Sequence, residues 1–351
     1  MTPRDSYRAG AYLDAAQRMG CSVTVATDAA VAIPEAAIAV SFADPIEAGD
    51  RILAQLDGRC DGVVGTDGAA LPIAAAVAAR LGLPGNPVDA VSTADDKLRQ
   101  RAALAETAVP QPRFAVEGES DWCDYPAVVK PTDRAAGQGV IPVETPAELP
   151  GAVDRVRSLV GTDPVLIERL VSGVEVALEG LLVDGELHVL AVFDKPDETV
   201  GLTFPETLLI QPARIDDEAL RRTTDVVRQA VTAIGLVQGP VHAECMIDGD
   251  QVWFLELAPR TIGGLCSRTL RPAGVGLEEL VVGLALGCPL PPLEVAGPSG
   301  VLMLPVPAAG CLESVDGIDR ARAVDGIEDV MITVGAGEAV EPLPEGDRYL
   351  G

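Results

Sequence analysis

The sequence predicts an α/β amino-terminal unit followed by a larger α+β region. Three observations carry that reading. Before residue 88, short apolar runs alternate with helical stretches, as in a parallel sheet with flanking helices. Between 112 and 260, short strands joined by tight turns dominate, including two hairpins with Asp-Gly at the turn. Two breaks rich in Gly and Pro, L-G-L-P-G-N-P at 81–87 and G-C-P-L-P-P-L-E-V-A-G-P-S-G at 287–300, punctuate the chain. The expected division is 1–88, then 89–290, then a small α+β domain at 291–351.

The elements follow in order. Residues 8–19 read as a helix stopped by Gly20, and 21–27 as a strand. Short strands are expected at 37–41 and 61–66, with helices near 46–57 and 69–81. Such a unit normally begins with a strand, whereas M-T-P-R-D-S leads straight into a helix, so the first strand reads as missing. A helix is expected at 95–104, and further helices at 146–159 and 216–234. The first hairpin is 173–193, turning at Asp184-Gly185, and the second is 242–257, turning at Asp248-Gly249. Short strands complete the last fifty or so residues.

Composition narrows the function classes. At 351 residues the chain exceeds one ordinary core. Aromatics are only 3%, so the cores must be built from Val, Leu, Ile and Ala. A net charge of −27 argues against nucleic-acid backbones and anionic membranes as partners. The first residues lack the apolar stretch of a signal peptide and no long apolar run occurs, so the expected location is the cytoplasm. The seven cysteines are widely spaced with no C-x-x-C, and there are only two histidines, His188 and His242. Neither a disulfide framework nor His-based metal chemistry is expected from that set.

Of 26 basic residues only Lys97, Lys130 and Lys195 are lysines. Codon bias accounts for the scarcity but not for the places: D-D-K-L-R-Q-R, A-V-V-K-P and V-F-D-K-P-D. An ammonium is a compact point charge, suited to one phosphate group, where guanidinium is a flat fork. Glu244 and Glu256 lie on the two strands of the second hairpin among apolar residues, in A-E-C-M-I and W-F-L-E-L. Two carboxylates there repel and are costly to bury alone, which a divalent cation relieves. Oxygen-only donors favour Mg²⁺ or Mn²⁺. From spacing alone, a solvent face or ion pairs with arginine is an equal alternative.

Arg260 follows in E-L-A-P-R-T-I-G-G-L-C-S-R, with Gly263-Gly264 and then Arg268. Two guanidinium groups suit a carboxylate or phosphoryl group that gains charge, and the plainer alternative is a glycine turn whose arginines neutralise the carboxylates. In A-V-V-K-P-T-D-R-A-A-G-Q-G-V, Gly137 and Gly139 punctuate a loop after Lys130. It is not a Walker A loop, and an ordinary β-turn explains it as well. Glu168 and Glu175 flank a turn at Gly173 in V-L-I-E-R-L-V-S-G-V-E-V.

Taken in order, Asp96-Lys97-x-x-x-Arg101, Val-Lys130-Pro, the glycines at 137–139, Glu168-Arg169-Leu170, Glu175, Lys195, Glu244, Glu256 and Arg260 resemble the ATP-grasp superfamily across roughly residues 90–290. The resemblance implies an ATP-grasp fold with a Rossmann-like domain before it and a small domain after it. It implies that Lys97 and Lys130 bind nucleotide phosphates, that the loop with Gly137 and Gly139 closes over them, and that Glu168 and Leu170 line an adenine pocket. It further implies a lid subdomain at about 120–168, and that Glu175 holds the ribose, Lys195 reaches the terminal phosphates, Glu244 and Glu256 hold Mg²⁺, and Arg260 steadies the acyl phosphate. Many members carry Asn two residues after the second metal Glu; here it is Ala258. The patterns His242-Ala243-Glu244 and Glu256-Leu257-Ala258-Pro259-Arg260 are similar to those of L-amino-acid ligases.

The implied activity is ATP-dependent joining of a carboxylate to an amine, with ATP and Mg²⁺ or Mn²⁺ as cofactors and small carboxylates and amines as partners. His242, Glu206 and Arg268 are candidates to touch substrate. A homodimer is an open expectation. The competing readings are an ATP-dependent carboxylase of the same superfamily and a catalytically impaired nucleotide-binding protein.

Overall fold

The structure is a computed structural model, and it describes all residues except 5, 29–36, 119–121, 136, 162–163, 197–205, 272–273, 295–296 and 347. Ala136 of the glycine loop and residues 295–296 of the second Pro/Gly-rich break therefore lie outside the described residues.

In chain order the chain forms α1 (Ala9–Arg18), β1 (Val25–Thr27), β2 (Ala37–Ala39), α2 (Pro45–Leu56), α3 (Leu71–Leu81), α4 (Val88–Ala94) and α5 (Lys97–Leu104). Next come β3 (Phe114–Val116), β4 (Ala127–Pro131), β5 (Ile141–Val143), α6 (Leu149–Val160) and β6 (Val165–Arg169). Then follow β7 (Val174–Val183), β8 (Glu186–Asp194), β9 (Leu208–Gln211), α7 (Asp217–Ile234), β10 (Gly239–Asp248) and β11 (Gln251–Ala258). The last elements are α8 (Leu277–Ala285), β12 (Ser299–Leu302), β13 (Gly310–Cys311), α9 (Ile318–Arg322) and β14 (Ala339–Val340). They group into two compact units: one of Met1–Gln111, Ser172–Asp194 and Ile210–Ser299, the other of Pro112–Val171, Lys195–Leu209 and Gly300–Gly351.

In the first unit, β1 and β2 pair in parallel over a core of Ala26, Ile38, Ala48, Ile52, Ile73 and Val77. Asp44 caps α2 by accepting the Glu47 N–H at 3.0 Å. The strand expected at 61–66 does not form. Among the described residues its backbone-to-backbone bonds go to the first residue alone, with the Met1 amine donating to Val64 O (2.6 Å) and Thr66 N–H donating to Met1 O (3.1 Å). One residue cannot build a ladder. Thr2 N–H reaches Ala26 O at 3.0 Å, and beside these bonds lies a cavity of about 600 Å³ lined by Val23, Val25, Val63, Tyr12 and Val282 among others.

The larger part of the first unit is an antiparallel sheet in the order β11-β10-β7-β8. Asp184 and Gly185 turn β7 into β8 with φ of 50° and 82°, the left-handed pair that a two-residue hairpin needs. Between β10 and β11, Asp248 pairs with Gln251, so the turn residues are Gly249 and Asp250, one position later than expected. One face of this sheet packs on α7, which presents Ala219, Val226, Val227, Ala230, Val231 and Ile234 to Val176, Leu178, Ala243, Cys245, Phe254 and Leu257. Asp216 starts α7 by accepting the Ala219 N–H at 2.7 Å. Each buried Val or Leu contributes roughly 1.5–3 kcal/mol relative to an exposed one, so the α7 seam fixes which face of the sheet is left for chemistry.

The second unit holds an antiparallel sheet in the order β3-β6-β4-β5. Val129, Ile141, Val143 and Val165 face α6 through Ala152, Val156 and Val160. By alternation, Lys130 and Glu168 lie on the opposite face. Among the described residues of the carboxy-terminal segment, only the two-residue pair β13–β14 forms a ladder of its own.

Candidate active site

The site in the first unit begins with the register of β10 and β11. Glu244 and Glu256 are direct cross-strand partners, and the next pair along is Cys245 with Phe254. Leu255 is thus the extra residue of a β-bulge, and the bulge turns Glu256 onto the face of Glu244, away from α7. A carboxylate oxygen of Glu175, on β7, comes within 4.8 Å of one on Glu244. Three carboxylates from three adjacent strands therefore share one sheet face.

Helix α5 secures the bulge. Arg101 is fully buried; its Nη2 donates to Leu255 O at 2.6 Å and its guanidinium lies 5.9 Å from the Phe254 ring centroid. Gln100 donates to Leu257 O (2.9 Å) and Ala94 O (2.8 Å) and accepts the Leu257 N–H (3.0 Å). Asp96 caps the helix, accepting the Arg99 N–H at 2.8 Å. Lys97 is then the first helical residue, where a cation opposes the helix dipole. Its partner lies elsewhere: Nζ is 3.0 Å from Glu256 Oε2. Of the D-K-x-x-x-R signature, the first and last residues build the helix and its grip on β11, and the lysine is the part presented to the site.

A buried pair stands beside Glu244. His242 Nδ1 donates to Glu179 Oε1 at 2.6 Å, and Nε2–H points to Glu244 Oε1 at 3.3 Å. Glu179 Oε2 accepts the Ile262 N–H at 3.0 Å. Burial pushes the Glu179 carboxyl upward, opposed by His242, the Ile262 amide and Arg260. Burial disfavours the charged imidazole, but the charge and hydrogen bond of Glu179, then Glu244, outweigh it and hold His242 up at about 9. The cross-strand partner of His242 on β11 is Ala258.

After β11 the chain runs through Arg260, which is partly buried and donates to its neighbour's carbonyl, Thr261 O, at 3.1 Å. The Gly263-Gly264 turn is met from the amino-terminal side: Tyr7 Oη accepts the Gly264 N–H at 3.1 Å. Beside it Arg8 pairs with Asp67 at 2.7 Å, and Ser6 and Thr66 donate to the same carboxylate. Arg268 is exposed on a 3-10 turn, Cys266–Thr269. The carboxylates, Lys97 and His242 come together in the first unit; Arg268 is on the surface. Glu179, Gln100, Tyr7 and Asp67 went unnoticed in the sequence. Glu179 alone left a signal there, as a carboxylate inside the apolar strand V-A-L-E-G-L-L-V.

The second unit holds two further lysine–carboxylate pairs. Lys130 Nζ lies 2.6 Å from Glu168 Oε2, both side chains nearly buried, and Lys195 Nζ lies 3.0 Å from Glu206 Oε1. Leu170 follows β6 and donates its N–H to Pro126 O at 2.9 Å. The glycine loop is tied to the carboxy-terminal segment: Gly139 N–H donates to Pro344 O (2.8 Å), and the Gln138 side chain donates to Glu345 O (2.9 Å). Gly137 takes positive φ in the same turn. Each of the three lysines therefore faces a carboxylate.

Residues 123–269 match the ATP-grasp domain family, and residues 302–351 match L-amino acid ligase C-terminal domain 2. The crystal structure of an L-amino acid ligase from Bacillus licheniformis superposes with a TM-score of 0.86 at 26% identity, covering 100% of this chain and 91% of that one. The chain carries an ATP-grasp domain and has the ATP-grasp fold. Its similarity to curated proteins is lower in coverage. Alanine–anticapsin ligase from Bacillus amyloliquefaciens is 26% identical over 234 residues, 58% of this chain and 49% of the ligase. The carbamoyl phosphate synthase large chain from Thermus thermophilus is 26% identical over 250 residues, 67% of this chain and 24% of the synthase. The chain thus spans between about a quarter and about half of the length of these two relatives.

The donor set in this ATP-grasp fold fits a divalent cation. Glu244 and Glu256 are opposed on paired strands, Glu175 is within reach of Glu244, and all offer oxygen only. Among the described residues no helix is long and apolar enough to cross a membrane.

Proposed function

We propose that this protein is a carboxylate–amine ligase that forms an amide or peptide bond on amino-acid-like substrates. The observation that carries the reading is the opposed Glu244–Glu256 pair with Lys97 at its edge. That arrangement suits the neutralisation of phosphate charge and needs no protein nucleophile. The likeness to L-amino acid ligase over the whole chain, and the match of residues 302–351 to a domain named for those ligases, support amino acids as the substrate class.

In the proposed reaction a substrate carboxylate attacks the γ-phosphorus of ATP, forming an acyl phosphate and releasing ADP. The amine of the second substrate then attacks the acyl carbon and phosphate leaves. Glu244 and Glu256 would hold Mg²⁺ or Mn²⁺, which supplies charge neutralisation at the phosphates when bound. Lys97 is assigned to a phosphate of ATP, exchanging Glu256 for it. Arg260 is assigned to the acyl phosphate as charge builds on its oxygens. Lys130 and Lys195 are proposed as phosphate-binding groups of the second unit, Glu168 and Leu170 as its adenine-binding residues, and the loop with Gly137 and Gly139 as a closing lid. Glu175 is proposed to accept from the ribose, and its place beside Glu244 gives it a second possible partner in the cation.

The test is ADP release over pairs of amino acids with ATP and Mg²⁺, run in parallel with bicarbonate as the only acid. Release that depends on both an amino-acid carboxylate and an amine supports the ligase. Release with bicarbonate alone would move the assignment to a carboxylase, and ATP binding with no release across the panel would move it to a nucleotide-binding protein.

A further inference from the structure

We propose that Glu179 and His242 are positioning residues: they fix the orientation of the Glu244 carboxylate and tie it, through the Ile262 amide, to the loop that carries Arg260. The inference rests on the ligase reading and extends it to residues that touch neither cation nor substrate.

The geometry is one unbroken path of hydrogen bonds. Glu244 Oε1 meets His242 Nε2, His242 Nδ1 meets Glu179 Oε1, and Glu179 Oε2 meets the N–H of Ile262. Both carboxylate oxygens of Glu179 and both ring nitrogens of His242 are used. Ile262 sits two residues after Arg260 and immediately before the Gly263-Gly264 turn. Anything that turns the Glu179 carboxylate must therefore disturb either Glu244 or the start of that turn.

The backbone is shaped to allow this. His242 and Glu179 are direct partners across β10 and β7, so their side chains rise side by side from one face. The β7–β8 register slips between Glu179 and Gly180, with Leu190 of β8 as the extra residue, so a bulge lies directly across from Glu179. A second bulge, at Leu255, aims Glu256. The position across from His242 on β11 is filled only by the methyl group of Ala258.

The burial is the second argument. The side chains of Glu179 and His242 are 1% and 7% exposed. An ion pair this deep is poor value for stability, since well-packed apolar residues of similar volume serve as well or better. A device that holds a ligating carboxylate in one rotamer gives such a pair a function that packing does not supply, and partners of this kind are a regular feature of metal sites.

The test uses the full chain and Mn²⁺ alone, with free Mn²⁺ followed by electron paramagnetic resonance and folding followed by the thermal midpoint. Glu179→Gln puts an NH2 group where one of two donors, His242 or the Ile262 amide, needs an acceptor, and His242→Gln can reach one of its two carboxylates but not both. Each is expected to weaken Mn²⁺ affinity about 10–100-fold in a chain that still unfolds cooperatively. Because the two act along one path, the double variant is expected to lose no more than the worse single variant. If one substitution prevents folding, the other alone decides. A folded variant that binds Mn²⁺ as the unsubstituted protein does overturns the proposal and leaves the ligase reading standing. Failure of the unsubstituted protein to bind Mn²⁺ overturns both.

Discussion

Lys97 and Glu256 face each other across 3.0 Å, a lysine of α5 proposed to bind phosphate against a carboxylate of β11 proposed to hold the metal. Their side chains are 11% and 23% exposed, so the pair is half-screened and contributes on the order of 1 kcal/mol or less to stability. The bond is more informative as a placeholder. It holds both groups in position with their charges balanced, and a cation with its phosphates can replace each partner for the other. Glu256→Gln should therefore leave the thermal midpoint within a few degrees of the original. Product formation should fall by about 10²–10³, the usual cost of losing one electrostatic group at a reacting phosphoryl centre. Arg260→Ala should behave alike. Near-normal turnover by either folded variant counts against the roles assigned here.

Gln100→Ala is expected to be far more damaging to stability than its place on a short polar helix would suggest. The side chain is 2% exposed and closes three bonds, two of them with both backbone groups of Leu257. Truncation strands those groups in a dry setting, at about 1–3 kcal/mol for each unsatisfied group before relaxation. Urea unfolding should show a loss of about 2–4 kcal/mol, with the m-value unchanged. Because Leu257 neighbours Glu256, the variant should also bind Mn²⁺ more weakly. A loss below about 0.5 kcal/mol would show that β11 does not depend on this helix.

The contrast between Lys97 and Gln100 marks how far the sequence is legible. Lys97 could be found because lysine is scarce and its neighbours form a signature. Gln100 sits inside the same signature as an unmarked letter, and its role depends on a strand some 150 residues away. The hairpins were readable because alternation and Asp-Gly turns are local facts. The bulge at Leu255 was not, because it is a property of two strands in register, and it decides that Glu244 and Glu256 share a face. The strand expected at 61–66 had the right residues, D-G-V-V-G-T, but a strand needs a ladder, and among the described residues its one backbone partner is Met1. Glycine in G-Q-G suggested free amides, whereas the Gly139 N–H is engaged by Pro344, again a partner far along the chain.

Stability should decline on the alkaline side in a way that depends on His242. Its imidazole is held at about 9 in the fold against an ordinary 6.5, by Glu179 on β7 and Glu244 on its own strand, with Arg260 acting on Glu179 from the following loop. A cation whose folded value is raised contributes fully below the unfolded value and loses that contribution as pH climbs through the folded one. The window is therefore between 6.5 and about 9, with the stabilisation present at the lower end. Urea midpoints measured from about pH 6 to about pH 10 should fall in the parent and fall less steeply in His242→Gln. Parallel profiles would show that the imidazole is not held charged.

Gly173 offers the sharpest test of the turn that delivers β7 to the site. Its φ is 147°, in the range that side chains rarely adopt, and a Cβ there would overlap the carbonyl oxygen of Ile247 on β10. Ile247 is the partner of Val174 in the β10–β7 ladder, so the obstacle is backbone fixed by its own hydrogen bonds and cannot rotate aside. Gly173→Ala must either strain the turn or push the first residues of β7 away from β10. The first of those residues to carry chemistry is Glu175, paired with Met246. The expected loss is about 2–4 kcal/mol in urea unfolding, as for other substitutions that combine a special φ with a backbone clash. It should come with faster amide exchange at Val174 and Glu175 than in the parent. An Ala variant of parental stability and unchanged exchange would mean that the chain can enter β7 by another path.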